Sequence, residues 1–182
     1  MGKNPYFWSI AIIAVVIDQI TKYITVTYFT EIGDTIPLWE GVFHFTYIKN
    51  TGSAFSLFQG GAFWLKWVSL FVSLVLAFFG YRDKLSKVEQ FAYGFVLAGA
   101  FGNGIDRFLF GYVVDFLDFR LINFPVFNIA DVCINIGIVF LLYATFKYDR
   151  WEKTKCKDLL DLKLHCRKKR LYKYFGKINC VF

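Results

Sequence analysis

Five aspartates stand in or beside apolar stretches of this chain: Asp18, Asp106, Asp115, Asp118 and Asp131. Two carboxyls are sufficient for peptide hydrolysis. Held close together they cannot both ionise comfortably, so one keeps its proton and the pair titrates as a unit. The ionised partner can take a proton from water and the protonated one can polarise a carbonyl. An acid of the pair can then protonate the leaving amine. An apolar setting strengthens the coupling, and the flanks Val113-Val114-Asp115-Phe116-Leu117 and Phe127-Asn128-Ile129-Ala130-Asp131 supply one. Asp118 and Asp106 are alternative partners. Asp118 lies three residues from Asp115 on what reads as a solvent-facing part of its loop, and Asp106 adjoins Arg107. No Ser–His pair competes, because the chain has only two histidines, His44 and His165. The topology derived below puts them on opposite sides of a membrane.

That membrane follows from composition. The chain has 182 residues, 57% of them hydrophobic and 21% aromatic, with mean hydropathy +0.45. A soluble domain of this size could not easily bury so much apolar surface, so lipid is its natural solvent. Four apolar segments, about 7–29, 63–79, 88–110 and 129–146, approach the roughly 20 residues a spanning helix needs. The first is not expected to be a cleavable leader, since it is too long, shows no clear small-x-small cleavage site and carries Asp18 and Lys22. The domain reading is a four-helix membrane unit over 1–146 and a basic cytoplasmic tail over 147–182.

Lys and Arg set the orientation. Twelve follow the fourth segment, from Lys147 to Lys177, and Arg82, Lys84 and Lys87 lie between the second and third. That side is expected to be cytoplasmic, with both termini inside. The net charge of +7 therefore reads as topology and attraction to the membrane surface, and no nucleic-acid partner is expected. The run Arg167-Lys168-Lys169-Arg170 is either a site for anionic lipid or a solvated charge run, and the tail could form an amphipathic helix. Cys133, Cys156, Cys166 and Cys180 fit no zinc spacing and suggest no disulfide framework.

Two connections face outward. In 30–62, Val42-Phe43-His44-Phe45-Thr46-Tyr47-Ile48 predicts a short strand at the membrane surface, with turns at Gly33 and Pro37 before it and at Gly60-Gly61 after it. The stretch 111–128 reads as an interfacial or re-entrant loop.

Charges in a spanning helix cost at least ~2.5 kcal/mol at its centre, so each needs an explanation. Asp18 and Lys22 share a face of the first helix and predict an internal ion pair. Asn103, Asp106 and Arg107 share a face of the third, and Asn128, Asp131 and Asn135 form a stripe at the start of the fourth. Spacing alone leaves these as hydrogen-bonding glue between helices or as a site. Depth favours a site, because Asp106, Asp115 and Asp131 all fall near one level, the outer leaflet. A proton channel would need acidic or His groups across the membrane, and the cytoplasmic halves of the last three helices lack them apart from Glu89. A scaffold would tolerate Asp→Asn changes.

At these residues the sequence resembles the lipoprotein signal peptidases, also called signal peptidase II. Four blocks carry the resemblance, in order. They are Asp18-Gln19-Ile20-Thr21-Lys22; Asn50-Thr51-Gly52-Ser53-Ala54-Phe55-Ser56; Gly102-Asn103-Gly104-Ile105-Asp106-Arg107 with Gly111-Tyr112-Val113-Val114-Asp115-Phe116; and Phe127-Asn128-Ile129-Ala130-Asp131. The resemblance spans about 10–142 and leaves out the tail. It implies an all-α membrane protein of four transmembrane helices with a small β-sheet cradle on the outer face. It also implies an aspartyl endopeptidase of the bacterial cytoplasmic (inner) membrane, a monomer among membrane lipids, with its active site near the outer leaflet. The substrate would be a prolipoprotein bearing diacylglycerol on a cysteine, cut on the N-terminal side of that cysteine. The resemblance assigns catalysis to Asp115 and Asp131, and substrate-binding or supporting roles to Asp18, Lys22, Asn50, Gly52, Asn103, Arg107 and Asn128. No metal or cofactor is expected. Arg107 and Asn103 would hold backbone or lipid-linker oxygens, and the strand with the Asn50–Ser56 loop would cover the site. Gly104 departs from the family, which more often has an apolar side chain there.

Overall fold

The computed structural model describes residues 3–52, 62–122 and 124–147. Contacts divide the chain into two units, Met1–Leu141 and Leu142–Phe182, and everything that bears on the site lies in the first. The expectations for residues 53–61 and for the tail beyond Lys147, including three of the cysteines, lie outside the described residues.

Among the described residues there are four long helices: α1 (Pro5–Tyr28), α2 (Ala62–Arg82), α3 (Lys87–Leu109) and α4 (Ile129–Lys147). Three of them, α1, α4 and Phe63–Arg82 of α2, are long and apolar enough to cross a membrane. The 24 residues of α1 rise about 36 Å at 1.5 Å each, more than a hydrocarbon core of ~30 Å. Its polarity is inside out. Ile12, Ile13, Val16, Ile17, Ile20 and Ile24 are exposed, while Asp18, Lys22 and Thr25 are buried. That pattern suits a protein solvated by lipid and joined inside by polar contacts.

Helix α3 is different because it is central. It packs against α1 and α2, and its inward residues are small or polar: Gly94, Ala98, Gly99, Gly102, Asn103, Gly104 and Asp106. Small residues let neighbouring backbones approach. A Cβ at Gly99 would collide with the Ala130 carbonyl oxygen of α4, so Gly99 sets how closely α3 and α4 meet. At Gly104 a Cβ would lie 3.3 Å from that of Ser69, and this glycine is where α2 closes on α3. The same small, polar content lowers the apolarity of α3 below that of the other three helices. Its start is fixed by a reciprocal cap, with Glu89 N–H donating to Ser86 Oγ and Ser86 N–H donating to the Glu89 carboxylate. Asn4, fully buried, ties α1 to the α2–α3 connection. Its Nδ2 donates to the carbonyls of Gly80 and Asp83, and its Oδ1 accepts from Leu85 N–H.

Three antiparallel strands form one sheet in the order β1 (Thr35–Trp39), β2 (Phe43–Asn50) and β3 (Val113–Phe119). The predicted outer strand is β2, running two residues further. Two expectations change. Pro37 lies within β1, an edge strand where its missing N–H does no harm, while the turns fall at Gly33 and Gly41. The stretch 111–128 is not mainly a loop. Gly111, at φ 78°, reverses the chain after α3. Val113–Phe119 then pairs along β2, and a short 3₁₀ turn, Arg120–Ile122, follows. Asp115 and Asp118 broke the apolar run in the sequence and hid its strand character. Past the turn the chain comes back against β3, where Leu117 and Phe127 exchange backbone hydrogen bonds of 2.8 and 3.0 Å. That bridge delivers Asn128 and the start of α4 beside β3.

Candidate active site

Asp115 sits mid-strand in β3, opposite Ile48 of β2, and is 1% exposed. Asn50 Nδ2 donates to its Oδ2 at 2.9 Å and Asn128 Nδ2 to its Oδ1 at 2.6 Å. Burial first, and the charge of Asp131 second, push its carboxyl up to about 7, against the bonds from Asn50 and Asn128 that favour its ionised form. Asn128 holds the two carboxyls near one another, its Nδ2 donating to Asp115 Oδ1 and its backbone N–H to Asp131 Oδ2.

Asp131 is the third residue of α4, and Asn128 is that helix's N-cap. Asp131 N–H donates to Asn128 Oδ1 at 3.0 Å, while Asn128 N–H donates to Asp131 Oδ2 at 3.2 Å. This is a reciprocal cap of the same form as at α3, built from Asn and Asp. Asn103 Nδ2 of α3 donates to the other oxygen, Asp131 Oδ1, at 2.8 Å. Two N–H donors thus fix the orientation of the Asp131 carboxyl at the start of α4.

Behind the pair lies a buried ionic network. Lys22 Nζ of α1 is 2.9 Å from both Asp18 Oδ2 and Asp106 Oδ2, and it donates to Asn103 Oδ1 at 3.0 Å. Asn128 Nδ2 donates to the same Asn103 oxygen at 3.1 Å. Two donors on Oδ1 fix the Asn103 amide with its Nδ2 toward Asp131. Asp18 Oδ1 accepts from Ala130 N–H at 2.9 Å, which holds the first turn of α4. Asp106 Oδ2 accepts from Val114 N–H at 3.2 Å, which holds β3. The expected Asp18–Lys22 pair is therefore present, and Asp106 pairs with Lys22 rather than with its neighbour Arg107.

The two aspartates line a cleft of about 1070 Å³ together with Asn50, Gly52, Asn103 and Arg107. Lys22, Asp18 and Asn128 do not line it. They are buried and act on the lining residues from behind. Arg107 Nη2 donates to the Gly52 carbonyl at 3.4 Å and Nη1 to Ser69 Oγ at 3.3 Å. Its buried Nε has no partner among the described residues. The rest of the lining is largely apolar, including Phe124 to Phe127 and Val132, Ile136, Val139 and Phe140 of α4.

Asp118 is excluded from the pair by geometry. It is buried at the other end of β3, not on a solvent-facing loop. There it accepts from Thr46 Oγ1 at 2.7 Å and from Arg120 Nε at 2.9 Å. Burial alone would raise its pKa, but these bonds and the Arg120 charge outweigh it and hold Asp118 below the usual carboxylate range. Sequence reasoning missed Gln19, whose Nε2 bridges Asp18 and Asp106 at 3.1 Å each. Its place between Asp18 and Lys22 in the first block was the available signal.

The pattern described as Signal peptidase (SPase) II matches residues 10–147. A lipoprotein signal peptidase of Microcystis aeruginosa is 67% identical over 147 residues, covering 80% of this chain and 95% of that protein. One from Gloeothece citriformis is 68% identical over 147 residues, covering 80% and 92%. A bacterial membrane enzyme solved by the in meso method at 1.9 Å resolution superposes with a TM-score of 0.70 at 33% identity, covering 81% of this chain and 98% of that one.

Proposed function

The chain belongs to the signal peptidase II family, which removes signal peptides from prolipoproteins, and on that premise we propose that Asp115 and Asp131 are its catalytic pair. The observation that carries the assignment is the pairing of a buried carboxyl from β3 with a half-buried one from the first turn of α4 in one cleft. Their surroundings divide the labour. Asp131, oriented by two N–H donors at the start of α4, takes a proton from the attacking water. Asp115, pushed up to about 7, keeps its proton and donates it as a hydrogen bond to the scissile carbonyl. The tetrahedral centre then collapses as an acid of the pair protonates the leaving amine, breaking the C–N bond. Arg107 lines the cleft beside the pair, and Asn50 and Asn103 orient the two acids.

The substrate in this reading is a prolipoprotein carrying a diacylglyceryl cysteine, cut on the N-terminal side of that cysteine. The apolar length of the cleft along α4 suits a hydrophobic signal segment or acyl chain. The protein is a multi-pass membrane enzyme. In our reading all four helices span the bacterial inner membrane, with both termini and the basic tail beyond 146 cytoplasmic and the cleft at the outer leaflet. The Lys and Arg bias supports that orientation. Membrane anchoring of both partners offsets part of the entropic cost of aligning the bond. Only α3 is less apolar than a lone span requires, and its burial among neighbours accounts for that.

The test is cleavage of a diacylglyceryl prolipopeptide by purified protein, followed by mass, with wild type and Asp131→Asn. Wild type releases the signal peptide before the lipidated cysteine, and the folded variant loses at least 10²-fold, the scale of removing a proton-transfer group. An Asp131→Asn enzyme that cleaves normally sinks the assignment.

A further inference from the structure

Arg107 lines the cleft, and the Ser69 hydroxyl to which it donates belongs to a second hollow. This is a groove of about 230 Å³ between α2 and α3, where Ser69, Leu70 and Ser73 face Gly104, Ile105 and Phe108. Groove and cleft have no lining residue in common. The groove wall is apolar although two serines stand in it. Ser73 Oγ donates to the Ser69 carbonyl at 2.7 Å, and Ser69 Oγ accepts from Arg107 at 3.3 Å, so both hydroxyls are engaged elsewhere. Gly104 adds no side chain to the floor. A dry apolar hollow beside a membrane-crossing helix suits a hydrocarbon chain.

Lys66 stands at one end of it. It precedes Ser69, Leu70 and Ser73 by three, four and seven residues, so it shares their face of α2. Its Nζ lies 4.7 Å from the centre of the Phe63 ring and 5.7 Å from those of Trp67 and Phe108, and Phe108 is itself a groove residue. Three rings hold a flexible cation in place. Among the described residues no carboxylate forms an ion pair with it, and the ion pairs there belong to Lys22 and Arg120. The stretch 53–61 that leads into α2 contains no Asp or Glu. Helix α3 ends, and α2 begins, where the chain passes to and from the strands, so this end of the groove lies on the sheet side of the bundle. Phe63, Trp64 and Trp67 are exposed there, as aromatic side chains are at a membrane–water interface. The ammonium therefore sits at headgroup level with the groove beneath it.

We propose that Lys66 and this groove form a binding site for an anionic phospholipid, with the phosphate on the Lys66 ammonium and one acyl chain between Leu70 and Ile105. From Lys66 to Ser73 the site runs about 10 Å along α2, at 1.5 Å per residue. The occupant is a lipid of the surrounding membrane and not the substrate, because a diacylglyceryl cysteine carries acyl chains without a phosphate. The site stands whether or not Asp115 and Asp131 are the catalytic pair, since it needs only a chain that crosses a membrane. One lysine at the membrane surface favours an anionic over a zwitterionic headgroup by about five-fold. Through Ser69 and Arg107 the bound lipid adjoins the cleft without entering it.

Native mass spectrometry of the full-length protein in detergent micelles tests this, with phosphatidylglycerol and phosphatidylcholine of the same chains titrated in. For the first lipid retained, wild type prefers phosphatidylglycerol by about five-fold. Lys66→Gln loses that preference, and Leu70→Trp, which fills the groove, weakens binding of both lipids. Lys168→Gln, which removes one charge from the tail, leaves the wild-type pattern in place. Thermal unfolding checks that each variant is folded, and Lys66→Gln decides the matter alone if the groove variant is not. A wild type without headgroup preference overturns the proposal, as does a folded Leu70→Trp that binds like wild type. Equal losses in Lys66→Gln and Lys168→Gln also overturn it, because net charge then accounts for the preference. Displacement of the phospholipid by a diacylglyceryl peptide would give the groove to the substrate, and displacement by glycerol 3-phosphate would reduce the site to its phosphate; either result sinks the proposal.

Discussion

Among the described residues, Asn128 is the side chain that bonds to both aspartates, and its removal has a directional consequence. Its Nδ2 donates to Asp115 at 2.6 Å and its Oδ1 accepts from Asp131 N–H at 3.0 Å. A hydrogen bond to an ionised group contributes about 1.5–3 kcal/mol. At 1.36 kcal/mol per pKa unit, losing it raises the Asp115 carboxyl by roughly one to two units. The sign follows from which form the bond favours: it stabilises the carboxylate, so its loss favours the acid. Asp115 stands at about 7 in the native site, and Asn128→Ala is expected to move it to about 8–9. In the mechanism above Asp115 must hold its proton, so the alkaline limb of kcat/KM moves up by the same amount. The plateau falls as well, because the carboxyl keeps only its Asn50 anchor. Loss of the N-cap costs a further ~0.5–2 kcal/mol of stability. Asn128→Asp separates the two effects, since it keeps an acceptor for Asp131 N–H but replaces the donor with a second anion. It should hold the cap and shift the limb further. The assay is the mass-followed cleavage between pH 5 and 10, with thermal unfolding as the check of fold. A folded Asn128→Ala enzyme whose alkaline limb stays in place or moves to lower pH refutes the assignment of that limb to Asp115.

Two further outcomes follow from the same buried charges. Asp115 binds its proton more tightly in the folded state, at about 7, than at its ordinary value of 3.8. Its ionisation therefore begins to destabilise the fold as pH rises past about 4 and does so fully above about 7, so Asp115→Asn should raise the unfolding temperature at pH 8 and change it little near pH 4. An equal shift at both pH values would count against a buried, raised carboxyl. Lys22→Met leaves Asp18 and Asp106 buried without their cation, which costs about 3–5 kcal/mol where one partner of a buried pair is removed. Unfolding in detergent measures it, and an unchanged midpoint would show that the network contributes nothing.

The helices were legible because lipid solvation writes long apolar runs, and the polar stripes at Asn103–Arg107 and Asn128–Asn135 marked where those runs face one another. Asp18 with Lys22 was readable as a pair from spacing alone. The direction of its work was not: Asp18 reaches 112 residues along the chain to Ala130 N–H, and no local pattern encodes such a bond. Strand β3 was hidden for a related reason. Its two carboxylates look like loop residues until Asn50, Asn128, Thr46 and Arg120 are placed around them. Gly104 was visible as a departure from the family pattern, and its physical meaning, the close approach of Ser69, needed the partner helix.

The cap at the start of α4 has one more consequence. Asp131 is aimed by the residue that opens its own helix, by Asn103 of α3 and, through the backbone, by Asp18 of α1, while Asp115 arrives on a strand. No single element carries a working pair. If Asp115 and Asp131 are the catalytic pair as proposed, a chain with α4 undocked is thus not a weakened protease but none at all. On that assignment hydrolytic power requires the finished bundle, and a half-built chain in the membrane cannot cut.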